Sequence, residues 1–361
     1  IKMARPVALF CAAVLLAAGA ADAFSPLGAA PLGSFCAPRT SCCMGRRSAG
    51  LGSGTASGRA LGGLQMLVDV PKQVLVTGAS GRTGFATFKL LWEDSKNFCT
   101  QGLVRSEKGA KMLEKLGASV GDSDSIKESN AKLRALGMPA DDEDPDIFVC
   151  DILDKDALKP AMRQCDALVI CTSAVPKLKK VELFKSILSK LIGRQRMPQF
   201  YFELVPEKVD WEGAKNQIDA AKEAGVDHIV LVSSMGVTPA KNNQDNILNQ
   251  MGGGNILEWK AKAEDYLKES GVDYTIIHPG GLLNKAGGER EIVLGVNDEL
   301  LDGYEARGAT RAIPREDVAQ LVVQCLRNKD LVKNKSFDCV SKAPGEGKVT
   351  VSFAPLFKTL P

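Results

Sequence analysis

The chain of 361 residues carries 46 Lys and Arg against 43 Asp and Glu, with 45% hydrophobic and 25% charged residues. That composition excludes disorder throughout, and a formal charge of +3 gives no general basic field for nucleic acid. Two histidines, His228 and His278, and no Cys-x-x-Cys pair leave a His-rich zinc site or a thioredoxin-type redox pair without ligands, so no metal is expected.

The totals mix two kinds of chain. Met3 reads as the initiator; Arg5, the uncharged run from Pro6 to Ala21 and the small-residue pattern Ala21-Asp22-Ala23 then have the layout of a signal peptide over 1–23. The run, about 16 residues, is short of the ~20 that a membrane span needs. Residues 24–68 contain four arginines, many Ser, Gly and Ala and no acid, a transit-peptide composition. The whole leader is +5, whereas residues 69–361 hold 40 cations and 42 acids, a net of −2. A signal peptide followed by a transit peptide opening on Phe24 resembles the bipartite presequence of algae with secondary plastids; plain secretion is the competing reading. The six cysteines beyond the leader are irregularly spaced, and Cys150 and Cys171 sit in apolar runs, which suits a reducing compartment. The expected location is the plastid stroma.

Residues 69–361 read as a single domain of alternating short apolar runs and amphipathic stretches. Strands are expected at Gln73–Thr77, Gln101–Arg105, Asp146–Cys150, Ala167–Thr172, His228–Ser233 and Asp273–His278, with a late one at Lys335–Val340. Helices fall between them, at Thr83–Glu93, Glu107–Leu116, Asp156–Arg163, Gly213–Ala224 and Leu257–Ser270. Strict alternation implies an α/β fold, a doubly wound parallel sheet of Rossmann type, here with a small C-terminal substrate lobe. A polar, acid-rich stretch at about 119–145 reads as a surface insertion, and Pro176–Lys208 as a crossover that either borders a substrate cleft or presents a solvated face.

The run from Gln73 to Gly84 leaves a strand and opens a helix, with Gly78, Gly81 and Gly84 in Gly-x-x-Gly-x-x-Gly spacing. Gly78 suits a tight turn, Gly81 the close approach of a pyrophosphate and Gly84 close helix packing, so Gly78, Ala79, Ser80, Gly81, Arg82, Thr83 and Gly84 are expected to hold a dinucleotide. Arg105 and Ser106 end the second strand where an acid would accept from a ribose 2′-hydroxyl; an arginine suits a 2′-phosphate, so NADP(H) is the expected cofactor. Asp151 and Ile152 are placed beside the adenine, and Thr172, Ser173 and Ala174 beside the ribose and nicotinamide.

These residues resemble the atypical, NmrA-like branch of the short-chain dehydrogenase/reductase superfamily, including plant NAD(P)-binding proteins. VLVTGASGRTG, GLVRS, DALVICTSAVPK, VDWEGAKNQIDAAKEAGVDHIVLVSSMG, GNILEWKAKAEDYL, DYTIIHPGGLL and IPREDVAQ carry the resemblance across about Lys72 to Phe357. In catalytic members the resemblance implies a Tyr four residues before a Lys on one helix, with a Ser near the end of the fifth strand. Here Ser233, Ser234 and Lys260 are present, but Ile256 stands in the tyrosine's place and Tyr266 lies six residues past Lys260. Ser234, Lys260 and His278 are the candidate catalytic residues, with local hydrogen bonding at the strand end as the competing reading of His278; Ser233 and Lys260 also face the cofactor, and Pro279, Gly280 and Gly281 form a lip over the nicotinamide. His228 is expected to be structural; Asp317 caps or braces the late helix, and Arg315 reaches the cleft.

Two functions follow. One is hydride transfer from NADPH to a quinone-like or carbonyl small molecule without the usual tyrosine. The other is a non-catalytic NADPH-binding scaffold, assembly factor or redox sensor on a thylakoid protein complex. Nucleic-acid binding and a transmembrane segment in the mature chain are not expected.

Overall fold

The computed structural model describes residues 71–120, 145–178, 200–238, 249 and 254–361. The expectations for the leader, for most of the insertion and for 179–199 lie outside the described residues. The chain opens with β1 (Lys72–Thr77), α1 (Arg82–Glu93), β2 (Phe98–Val104), α2 (Glu107–Glu114), β3 (Ile147–Val149), α3 (Lys155–Met162) and β4 (Ala167–Ile170). The short strands β5 (Pro176–Leu178) and β6 (Phe200–Phe202) pair antiparallel, and a π-helical turn, Glu207–Gly213, runs on into α4 (Ala214–Ala224). Next come β7 (His228–Val232), α5 (Ile256–Glu269), β8 (Tyr274–Pro279), β9 (Gly281–Leu283), β10 (Ile292–Gly295), α6 (Leu300–Gly303) and β11 (Ala312–Pro314). The chain closes with α7 (Arg315–Arg327), α8 (Lys329–Val332), β12 (Lys335–Ser341) and α9 (Ala354–Phe357).

Eight strands form one sheet in the order β10-β12-β8-β7-β4-β1-β2-β3, parallel throughout except for β10, which pairs antiparallel with β12. Both faces are covered, which is why the strands read as continuous apolar runs rather than alternating ones. Along β1, Val74 and Val76 enter the core under α1, α2 and α7, while Leu75 enters the opposite core with α3, α4 and α5. Strand order reverses between β1 and β4, which opens a crevice at their carboxyl ends. The expected C-terminal lobe is a modest excursion over residues 280–314, where β9 and β11 pair in parallel beyond the end of β8. The late strand is β12, within the main sheet.

Helix ends follow local chemistry. Asp154 caps α3 by accepting from the Asp156 and Ala157 N–H groups, and Ser106 caps α2 through Gly109 N–H. The first turn of α5 has no cap at Asn255; Asn249 supplies one from upstream, its Oδ1 accepting from Leu257 N–H at 2.9 Å. Burial pushes the Cys165 and Cys171 thiols up to about 12, so they pack as small hydrophobes. Among the described residues no helix is long and apolar enough to cross a membrane.

Candidate functional site

The glycine-rich turn lies at the crevice. Gly78 has φ +67°, and a Cβ there would sit 3.0 Å from the Cys171 carbonyl oxygen at the end of β4. At Gly84 a Cβ would come within 2.2 Å of the Gly78 oxygen, so glycine is required for α1 to start this close to β1. The turn is closed by Gly81 N–H to Gly78 O at 2.8 Å. Gly81 places no side-chain cap on α1. Its leading N–H groups and positive dipole end are thereby left for an anion, which fits a dinucleotide pyrophosphate. Ser80 packs against the start of α2 near Gly109, Ala79 is buried, Thr83 O accepts from Thr87, and Arg82 is exposed beside the turn.

Arg105 stands exposed after β2, and its charge reaches Glu203, just past β6. Ser106 is engaged as the α2 cap. Across the turn, Arg315 at the head of α7 donates to Leu282 O at 3.2 Å and to Asn284 Oδ1. Burial and the Arg82 charge lower it to about 10. The acids beside it brace the lip loop, Glu316 accepting from Gly287 N–H and Asp317 from Gly288 N–H. Asp151 accepts from Leu153 N–H in a local turn. The Ile152 carbonyl accepts from Asn216, and its side chain fills the space above Gly213. The Thr172 hydroxyl accepts from Gln217 at 3.2 Å, Ser173 is exposed and Ala174 is buried. Pro279 is buried at the end of β8, while Gly280 and Gly281 lie against the Arg311 carbonyl.

Lys260 is tied down by a residue that sequence reasoning missed. Its ammonium lies 2.8 Å from Asp210 Oδ1, with side chains 11% and 0% exposed respectively. The other Asp210 oxygen accepts from Ala174 N–H at 3.0 Å. The π-helical turn carries this acid inward, a distortion common at functional sites. An α-helical reading beginning at Gly213 leaves Asp210 in a loop; the signals were an acid inside the apolar Val209-Asp210-Trp211 and its place at the head of a stretch that carries the family resemblance. Thr172, Asp210, Ser233 and Lys260 line a pocket of about 10 Å³, room for about one water, with Ile170, Ala214, Leu231 and Ala263 as its apolar wall.

Ser233 is 7% exposed and donates to Glu264 Oε1 at 2.5 Å; Ser234 is half-buried, its hydroxyl on Met235 O. Glu264, one turn past Lys260, also meets His278 Nε2 at 3.1 Å, and His278 Nδ1 meets Asp338 at 3.3 Å on the neighbouring strand β12. Of the two readings of His278, a proton donor toward the ligand or a strand-end histidine bonded locally, the geometry fits the second: it is 3% exposed and both nitrogens are engaged. His278, Asp298 and Asp338 bring ligand-type atoms within 4.8 Å of one another. The ring nitrogens and both Asp298 oxygens, however, already have hydrogen-bond partners. Tyr266 points away, donating to Asp219 at 2.6 Å on α4, so it does not replace a tyrosine at Ile256. His228 is structural as expected: Thr275 donates to Val332 O, so neutral His228 Nε2 donates to Thr275, and burial lowers the ring to about 4.

Comparison with known proteins agrees with this geometry. Residues 126–329 match a family profile described as NAD(P)H-binding. Sanguinarine reductase of Eschscholzia californica is 44% identical over 299 residues, covering 79% of this chain and 94% of the relative. An uncharacterized chloroplastic protein of Arabidopsis thaliana is 43% identical over 289 residues, 80% of this chain and 75% of its own length. The chloroplastic protein TIC 62 of the same plant is 28% identical over 295 residues, 80% of this chain but 37% of that protein. A solved structure titled as a putative NAD-dependent epimerase/dehydratase from Bacillus halodurans superposes with a TM-score of 0.50 at 21% identity, over 80% of this chain and all of the other. With the glycine turn at the switch point of a doubly wound sheet, the chain belongs to the NAD(P)H-binding, reductase-like family of Rossmann-fold proteins, and its cofactor is a nicotinamide dinucleotide.

Proposed function

We propose that the protein is an NADPH-dependent reductase of a small, quinone-like or carbonyl acceptor that works without a catalytic tyrosine. The observation that carries this is the Lys260–Asp210 pair beside Ser233 at the crevice, with Ile256 where the tyrosine would stand. A bound nicotinamide supplies the hydride. The chain's own groups bind and orient: the α1 N-terminus and Arg82 hold phosphates, Lys260 faces the ribose, and Ser234 hydrogen-bonds the acceptor oxygen. Quinone-type oxygens can be protonated from water, so the missing tyrosine does not bar turnover. The name of the 44% identical reductase supports a small-molecule acceptor.

NADPH over NADH is read from Arg105, which stands where a 2′-hydroxyl partner would be acidic. Arg105→Ala is expected to weaken NADPH by about ten- to a hundredfold, the worth of a charge-assisted contact, with NADH little changed. The leader composition and the chloroplastic names of two relatives support the plastid stroma as location. Steady-state oxidation of NADPH by residues 69–361 with a panel of quinones and carbonyls tests the reading. Bound cofactor with no acceptor-dependent turnover would overturn it. That same outcome would select the second reading, also favoured by Ile256, of an NADPH-binding scaffold or sensor in a thylakoid protein complex.

A further inference from the structure

We propose that His278 is a positioning residue, bridging Glu264 and Asp338 so that the Lys260 helix and the Ser233–Thr238 loop are held in one register toward a common ligand. The role rests on the reductase reading for what that ligand does, though not for its geometry.

His278 joins Glu264 to Asp338, and separate bonds from Glu264 and from Asp298, whose carboxylate lies close to Asp338, hold the two ends of the loop. On α5, Glu264 lies one turn from Lys260 and takes both the Ser233 hydroxyl and His278 Nε2 on one oxygen. On the other side Asp338 takes His278 Nδ1, and next to it Asp298 accepts from Gly236 N–H at 2.6 Å and from Thr238 N–H at 2.9 Å. The loop that follows β7 is thus clamped on both sides of Ser234 and Met235. Asn297 and Asp298 have φ +55° and +59°, a left-handed pair retained where three donors converge on one carboxylate.

The charges explain why the middle member matters. The groups facing the imidazole are Glu264 from α5 and Asp338 from β12, with Asp298 beside Asp338 from the segment before α6. Lys268 reaches Glu264 from the solvent side at 3.8 Å. Glu264, Asp298 and Asp338 are at most 3% exposed, so three buried carboxylates surround a single ring. Burial works against the charged ring, but the Glu264 charge and the bonds from Asp338 and Glu264 outweigh it and hold the ring up to about 10. Remove that cation and two buried carboxylates repel across the seam between α5 and β12, moving Lys260 and Ser233 together.

The test is NADPH affinity by fluorescence titration, with kcat and KM for NADPH at a saturating quinone, from neutrality to above pH 10 in the wild type, His278→Arg and His278→Gln, the fold followed by circular dichroism. Wild-type affinity is expected to weaken at least about tenfold as pH rises through about 10. His278→Arg, a permanent cation, is expected to lose clearly less affinity than the wild type across that range, the loss common to both belonging to other groups such as Arg315. His278→Gln is weak at every pH, with KM for NADPH raised more than kcat is lowered. Identical alkaline profiles for wild type and His278→Arg, or wild-type affinity in a folded His278→Gln, would overturn the role. Should His278→Gln fail to fold, the comparison of wild type with His278→Arg decides. Absence of turnover in every variant would sink the reductase reading alone, because the affinity profiles would still differ.

Discussion

Replacing Asp210 with asparagine removes the counter-charge of Lys260 while leaving an oxygen for the Ala174 N–H. The ammonium is 11% exposed and the carboxylate fully buried, so the variant strands a cation in a poorly solvated site. Breaking one side of a buried pair costs about 3–5 kcal/mol. With a slope of about 2–3 kcal/mol per molar, that lowers the urea midpoint by about 1–2.5 M. Asp210→Asn combined with Lys260→Met deletes both charges and keeps the volume, so most of the loss is recovered, with a coupling of about 2–3 kcal/mol between the two sites. NADPH binding separates stability from function: if Lys260 serves the ribose as proposed, the double variant regains stability but not affinity. Strict additivity, or a single variant within about 0.5 kcal/mol of wild type, would refute the reasoning.

Gly84→Ala is expected to abolish NADPH binding in a fluorescence titration and to cost about 1–3 kcal/mol or more, because the new carbon overlaps the Gly78 oxygen at 2.2 Å. Tyr266→Phe should leave kcat unchanged and lose about 1 kcal/mol at most in chemical denaturation, its hydroxyl being spent on Asp219. His228 is held neutral, its pKa lowered from 6.5 to about 4. Its contribution is complete above about 6.5 and is lost as pH falls toward 4, an order-of-magnitude ~3 kcal/mol, so His228→Gln should flatten stability against pH across that window.

The parallel strands and their helices were legible because buried parallel sheets write themselves as short apolar runs between amphipathic stretches. β2 begins at Phe98, earlier than expected, since Thr100 and Gln101 are polar yet buried within the sheet. β9, β10 and β11 were not anticipated: three or four residues with no period are set by tertiary pairing, as when Ile313 aligns with Leu282. In the site, the glycine turn was visible because Gly78 and Gly84 answer to local geometry. Asp210, Asp298 and Asp338 were not, because each acquires meaning from a partner at least 36 residues away, as Asp210 does from Ala174. His278 sits at the strand end where expected, but its orientation depends on Glu264 and Asp338, which periodicity alone does not bring together.

The most direct test follows the hydride. NADPH deuterated on the transferring face of its reactive ring carbon should deliver the label to the reduced acceptor in the presence of the protein, with a primary isotope effect on a single turnover that persists in Tyr266→Phe, while Lys260→Met lowers the rate of that transfer at a fixed NADPH concentration. NADPH that stays bound and fully labelled while every acceptor remains oxidised would contradict a tyrosine-independent reductase.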